Sequence, residues 1–407
     1  MKHYADNKGG RHYAKAPSKT ASEQGGSIGK YAPGILFVVF IFAMAIWFIF
    51  NPKLDYSSSE KRYLQKFPDT SFDSIKDGTF GSEFETFFAD HFPARNMWVG
   101  TNAYTSLFEG NNGASGIYNC GNGYLINKPV STENNISKNV DAIVDFKNVD
   151  AVKNTPVTVM FAPSTGYITN DVLPFVHDEY NDDRYFDDTA ATLSQNGISF
   201  VDLRDTFKTE YTMGNQLYYK TDHHWTTKGA YTAYKQLCAQ LGITPAAEEI
   251  FQKKTYDGFY GTTYSSSGFW FTKPDDVEVW NNPNNTSKNI KVKITEGSET
   301  SEYDSMYFYD HLNEDDKYPV FIDGNHAYTE ITNTNAEGGT IMLVKDSFSH
   351  CMAPFLAENY SKVILVDMRY YKNENVSEVV KRENPEQIVV LYGIDNIATD
   401  TDIVWLQ

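Results

Sequence analysis

The sequence predicts an α/β protein, a mostly parallel sheet with helices on both faces, preceded by one transmembrane helix. Three observations predict it. Short apolar runs alternate with amphipathic stretches from about Asn139 onward. An uncharged apolar run, residues 32–50, lies near the N-terminus. A Tyr-, Thr- and Asn-rich stretch, residues 250–335, interrupts the alternation and reads as a β-rich insertion.

The chain has 407 residues, 41% of them hydrophobic and 15% aromatic, enough for a substantial core. Its net charge is -18, which argues against nucleic acid as a partner, since phosphates reward Lys and Arg. The positive charge is concentrated at one end. Residues 1–31 contain Lys2, Lys8, Arg11, Lys15, Lys19 and Lys30 against Asp6 and Glu23. That composition reads as a disordered cytoplasmic tail. The run 32–50 follows it directly and is about as long as a membrane span requires. Basic residues on its N-terminal side place that side in the cytoplasm. No small-x-small cleavage pattern follows Phe50, so the run reads as an uncleaved signal anchor, with the rest of the chain extracytoplasmic. Three scattered cysteines without a CxxC pair form neither a disulfide framework nor a zinc motif.

Residues 51–138 read as a tether and the first part of the ectodomain. Within them, Phe84, Phe87, Phe88 and Phe92 recur at helical spacing, and "IYNCGNGYLIN" reads as a hairpin around Gly121 and Gly123. Residues 139–407 read as the α/β domain. Helices are expected at 140–148, within 182–195 and at 227–241, the last ended by Gly242. They alternate with the strands "VTVMFAPS" and "ISFVDL". After the insertion come strand "TIMLV", a helix beyond Ser347, strand "KVILVDM", a helix at 376–382 and strand "QIVVLYG". Apolar strands of this kind are buried on both faces, as in parallel sheets.

Two stretches carry chemistry. In "KTDHHWTT" an extended chain points Asp222 and His224 to one side and His223 to the other. A carboxylate beside an imidazole fixes its tautomer and stabilises the imidazolium. Trp225 packs the ring in place or offers an aromatic face to a sugar. Plain packing is the competing reading, and a metal site on Asp222, His223 and His224 is a third. The second stretch is "GGTIMLVKDSFSHCMAPFL". Ser347 follows a buried strand and opens a helix, at the sheet edge where open α/β folds place their sites. The helix N-terminus supplies amides and positive potential for an oxyanion. A simple helix cap is the competing reading.

"DSFS" after an apolar strand resembles the nucleophile block of SGNH (GDSL-type) esterases. "TDHHW" upstream of it resembles the D-x-H-W motif of the SGNH-like proteins that acetylate alginate and other exopolysaccharides. The similarity is closest to the DHHW family of cell-envelope proteins. "FADHFPARN", "GIYNCGNGYLI", "DMRYY" and "VVLYG" extend it over about residues 50–405. The resemblance implies an SGNH-like fold, with Ser347 as nucleophile, His224 as general base and Asp222 as its orienter. Lys345 departs from the pattern by standing where classical SGNH enzymes have Gly. The oxyanion blocks are not located. Asn325, Arg369 and Tyr392 are candidates for that role and for substrate contacts, with a structural role for each as the competing reading.

The expected function is a membrane-anchored extracytoplasmic serine O-acetyltransferase or acetylesterase acting on a cell-envelope polysaccharide. It uses no cofactor and no metal, and the resemblance implies a membrane O-acyltransferase as acetyl donor. The alternative is a non-catalytic SGNH-like envelope protein that binds glycan or an assembly partner. A metal-dependent hydrolase ranks third.

Overall fold

The structure, a computed structural model, describes residues 27–57, 60 and 62–407, with no account of the side chains of residues 27–29. Most of the basic tail therefore lies outside the described residues. The chain divides into two compact units. One comprises Met1–Leu54 with Gln65–Pro93, the other Asp55–Leu64 with Ala94–Gln407.

The first unit carries helix α1 (Ser27–Phe50), whose stretch Lys30–Phe50 has a mean hydropathy of 2.6 and is long and apolar enough to cross a membrane. Its other main element is helix α2 (Thr79–Asp90), where the helical phenylalanine spacing predicted one. The Asp90 carboxylate accepts the Gln65 amide at 2.8 Å, which ties down the end of that helix.

The second unit is built on an eight-stranded sheet. Its strands are β1 (Val157–Ala162), β2 (Ser199–Asp202), β3 (Ile290–Glu296), β4 (Glu299–Tyr303), β5 (Tyr328–Asn333), β6 (Gly338–Lys345), β7 (Tyr360–Val366) and β8 (Gln387–Gly393). Their order is β4-β3-β5-β7-β6-β8-β1-β2. Neighbours from β7 through β2 pair in parallel, whereas β4, β3 and β5 join antiparallel. Three strands of the region 250–335 extend the main sheet at one edge. The remaining hairpin, Gln252–Phe259 with Asp275–Asn281, forms a separate ribbon.

Helices cover both faces, as predicted. Alternation along β6 decides which side chain goes where. Ile341 and Leu343 join a core with helices α3 (Thr227–Leu241) and α4 (Phe348–Leu356), while Met342 and Val344 join the core on the opposite face. Helix α3 matches its expected bounds. Thr226 Oγ1 accepts the Gly229 amide at its start, and Gly242 ends it in the left-handed conformation. The consequence for function lies at one edge. The carboxyl ends of β1, β6 and β8 are neighbours, so Ser164, Ser347 and Gly393 all emerge there. Tyr218 donates its hydroxyl to Pro163 O at 2.6 Å, which seats the segment before Asp222 on the same edge.

Candidate active site

Ser347 follows β6 and precedes α4, with its backbone already helical (φ -68°, ψ -15°). Asp346 holds this turn in place. Its fully buried carboxylate accepts the Gly393 amide at 2.7 Å, the Asn396 side chain at 2.7 Å and the Phe348 amide at 2.9 Å. The end of β6 is thereby fastened to the end of β8. The Ser347 amide itself donates to no group among the described residues.

Residues 221–225 arrive from the other half of the sequence. Asp275 anchors them, accepting the Lys220 amide at 3.0 Å and the Thr221 amide and hydroxyl at 2.7 Å each. The His224 ring then stands between Asp222 and Ser347. Nδ1 lies 2.5 Å from Asp222 Oδ1, and Nε2 lies 2.6 Å from Ser347 Oγ. The second Asp222 oxygen accepts the Thr262 amide at 2.6 Å and its hydroxyl at 3.0 Å. All three side chains are buried, Ser347 being 7% exposed. Tyr318 completes the frame. Its ring stacks on His224 at 4.0 Å and 10°, and its hydroxyl donates to Ser347 O at 3.1 Å.

Several expectations are corrected. His223 does not face away from the pair. The chain bends at residues 221–224 instead of running extended, so the His223 ring lies 3.9 Å from that of His224, with Nδ1 2.6 Å from Thr262 Oγ1. Trp225 offers no face to a sugar. It is fully buried, meets Phe348 edge-on at 5.1 Å and donates to Phe348 O at 3.0 Å, clamping α4 behind the Ser347 turn. Tyr392 is buried in the core of the opposite face, its hydroxyl without a hydrogen-bond partner among the described residues. Arg369 is partly exposed: Nε and Nη2 engage both oxygens of Asp367 at 2.8 and 2.6 Å, and Nη2 also donates to Asn325 Oδ1 at 3.1 Å. Asn325 is exposed, at the end of that pair.

Lys345 has a role that its departure from the SGNH pattern did not suggest. Its buried ammonium lies 2.9 Å from Asp367 Oδ2 and 2.8 Å from His350 Nε2. Burial disfavours an ionised Asp367, but hydrogen bonds from Arg369 and the charges of Lys345 and Arg369 outweigh it and hold the carboxyl below its ordinary value.

The residues that sequence reasoning missed come mainly from the region 250–335: Gly261, Thr262, Asp275 and Tyr318. A Cβ on Gly261 would meet Asp222 Cβ at 2.1 Å and Oδ2 at 2.5 Å, so only glycine permits the approach. The one local signal was "YGTTY", a glycine followed by threonines at a helix start.

A metal ion has one set of ligand atoms here. Asp222, His223 and His224 each offer one, all within 4.8 Å of one another. In the present arrangement the His224 nitrogens and both Asp222 oxygens already hold the hydrogen bonds described above, so an ion would have to displace some of them.

Residues 189–366 match the DHHW protein family. The resemblance read from the sequence is thus borne out over the span that holds both Asp222–Trp225 and Ser347. A DHHW family protein from Eubacterium siraeum shares the fold at a TM-score of 0.57 and 16% identity, over 72% of this chain and 95% of that one. PatB1 of Bacillus cereus is similar at a TM-score of 0.57 and 16% identity, over 70% and 98%. A second structure of PatB1, with a sulfonyl adduct, gives 0.56 and 17% over the same shares. At such identities these likenesses speak to the fold. No curated protein matches the chain.

Two predictions follow from the geometry. Gly261→Ala is expected to push Asp222 off His224, with little change in the rest of the fold. Turnover of an activated acetyl ester should then fall by at least about tenfold, as when a triad orienter is disturbed, while circular dichroism stays native. Unchanged turnover would remove Asp222 from the role of orienter.

The second prediction concerns pH. Burial pushes the Asp182 carboxyl up to about 7, against hydrogen bonds from the Ser164 amide and hydroxyl and with the nearby charge of Asp395 adding to the rise. Burial likewise pushes Asp395 up to about 6. Both groups stay protonated in the folded chain at pH values where the unfolded chain ionises. Their stabilisation is full below the ordinary carboxylate range and is lost as pH rises through about 6 and about 7. Each adds a slope of up to about 1.4 kcal/mol per pH unit. Urea unfolding should show stability falling between these limits, and Asp182→Asn should flatten the fall. An equally steep fall in that variant would refute the assignment.

Proposed function

We propose that the protein is a serine-dependent O-acetyltransferase or acetylesterase of the cell envelope. The observation that carries this reading is the unbroken hydrogen-bond chain from Asp222 through His224 to Ser347 Oγ, at the N-terminus of a helix. Ser347 Oγ attacks the carbonyl carbon of an O-acetyl ester and gives its proton to His224 Nε2. Asp222 Oδ1, held at Nδ1, stabilises the resulting imidazolium. The Ser347 amide and the α4 N-terminus face the developing oxyanion. The C–O bond to the leaving group then breaks, and that oxygen takes the proton from His224. An acetyl-serine remains. A sugar hydroxyl or water gives its proton to His224 and attacks the acetyl carbon; the bond to Ser347 Oγ breaks, and His224 returns the proton to Ser347.

The substrate in this reading is a cell-surface polysaccharide, and the acetyl donor is a membrane O-acyltransferase. Helix α1 acts as a single-pass anchor, with its N-terminus cytoplasmic and the catalytic unit outside. Within the chain itself, the uncharged span of α1 and the basic residues before it support the anchor.

The test uses the full chain in detergent with p-nitrophenyl acetate and an acetylated oligosaccharide. Ser347→Ala and His224→Ala should each lower turnover by at least about a thousandfold with the fold intact, because nucleophile and base act as a unit. His223→Ala removes a ring tilted beside the base and its contact with Thr262 Oγ1, and should cost about tenfold or less, well short of the loss of a triad member. EDTA should leave the rate unchanged. Equal turnover by the unchanged protein and Ser347→Ala would favour a non-catalytic binder. Loss of activity in EDTA, with His223→Ala as damaging as His224→Ala, would make residues 222–224 a metal site.

A further inference from the structure

Helix Arg95–Phe108 carries apolar residues on two sides. Inward, Ala103 and Leu107 pack with Ile117, Leu125 and Phe269. Outward, Met97 is 55% exposed and Phe108 is 92% exposed. A groove of about 520 Å3 opens on that outer side, with Met97, Tyr104, Phe108, Trp270 and Phe271 in its lining. Phe271 is itself 86% exposed.

The fold holds these residues together. Trp270 Nε1 donates to Asn96 O at 2.7 Å, and the Phe271 amide donates to the Tyr104 hydroxyl at 3.0 Å. The Tyr104 and Phe271 rings lie 5.1 Å apart. A Cβ on residue 100 would meet Trp270 Cδ1 at 2.5 Å, so Gly100 lets the indole press onto the helix. A contiguous apolar patch of this kind, left open to water, marks an interaction face.

Two observations point to its occupant. The first is charge. Residues 94–108 and 268–274 contain Arg95 and Lys273 and no Asp or Glu, in a chain of net charge -18. Acids resume only at Glu109 and Asp275. Anionic lipid repels an acidic protein, so such a protein approaches a bilayer best through an acid-free patch. Tryptophan and tyrosine beside exposed phenylalanine also suit the boundary between headgroups and acyl chains.

The second is reach. Within the first unit, Phe88 of α2 packs on Phe48, near the end of the apolar span, with ring centroids 4.8 Å apart. Arg95 follows Phe88 by seven residues, a reach of at most about 25 Å. The helix Arg95–Phe108 adds about 21 Å. Chain length alone therefore keeps the patch close to any bilayer that holds α1. Such a tether makes docking on lipid intramolecular, so a small patch suffices. A separate protein or a second copy of the chain has no such advantage.

We propose that this patch docks on the lipid bilayer, with Phe108 and Phe271 seated among the acyl chains. The proposal rests on the reading of α1 as a membrane anchor. It adds a second attachment, which holds the unit carrying Ser347 against the membrane surface.

The test uses the full chain in nanodiscs of phosphatidylcholine and phosphatidylglycerol that contain a lipid with a diazirine in its acyl chain. After photolysis, lipid adducts are located by peptide mapping. They are expected on α1, on Met97–Phe108 and on Trp270–Phe271. In the double variant Phe108→Asp with Phe271→Asp, adducts on the patch should fall at least about tenfold, because a carboxylate is costly among acyl chains. Those on α1 should persist, and circular dichroism should stay native. The pair Phe108→Leu with Phe271→Leu should retain the patch adducts. Adducts on α1 alone would overturn the docking and leave a protein surface as the occupant. Patch adducts unchanged by the aspartate pair would overturn it too. Adducts on the patch with none on α1 would keep the docking and sink the anchor; adducts on neither would sink both.

Discussion

A carboxylate buried as deeply as Asp222 is tolerable only if both of its oxygens are satisfied, and the second unit is arranged around that requirement. One oxygen takes the His224 amide and ring, the other the Thr262 amide and hydroxyl. The first pair needs the bend at residues 221–224; the second needs residue 261 to be glycine. Once Asp222 is fixed, the His224 ring has one orientation, and Nε2 meets Ser347 Oγ. Asp346 fixes the same contact from the other side by fastening the Ser347 turn to β8.

Buried charge recurs around this turn. Lys345, Asp367, Arg369 and His350 form a network at the ends of β6 and β7. Removing one member of a buried pair leaves its partner uncompensated, at a cost of about 3–5 kcal/mol. Lysine in place of the glycine of classical SGNH enzymes is thus part of a local electrostatic solution. It ties the edge of the parallel strands to the loop that carries Arg369.

The parts of the fold that were legible in the sequence were those encoded by local pattern. Apolar runs of five to seven residues gave the parallel strands, the cap and the terminating glycine gave α3, and the strand-to-helix junction gave Ser347. The pairing of Asp222 with His224 was legible from their D-x-H spacing. What failed did so for physical reasons. Period-two reasoning needs an extended chain, and residues 221–224 bend, so His223 was assigned to the wrong side. Trp225 and Tyr392 are aromatic residues buried by elements far away in sequence, Trp225 against Phe348 and Tyr392 in the core on the opposite face. Tyr318, Asp275 and Thr262 reach the site through contacts 29 to 54 residues apart in sequence, which no window registers. The same distance hid the extension of the sheet by β3, β4 and β5.

The central claim is that Asp222 and His224 make Ser347 an activated nucleophile. Its most direct test is intact-protein mass spectrometry after exposure to a sulfonyl fluoride, with peptide mapping of the adduct. Such a reagent captures a serine whose proton is being removed by an adjacent base. One sulfonyl group is expected on Ser347 in the unchanged chain, and almost none at equal time in His224→Ala. Labelling spread over tyrosines and lysines with Ser347 bare, or equal labelling of Ser347 in the two proteins, would contradict it.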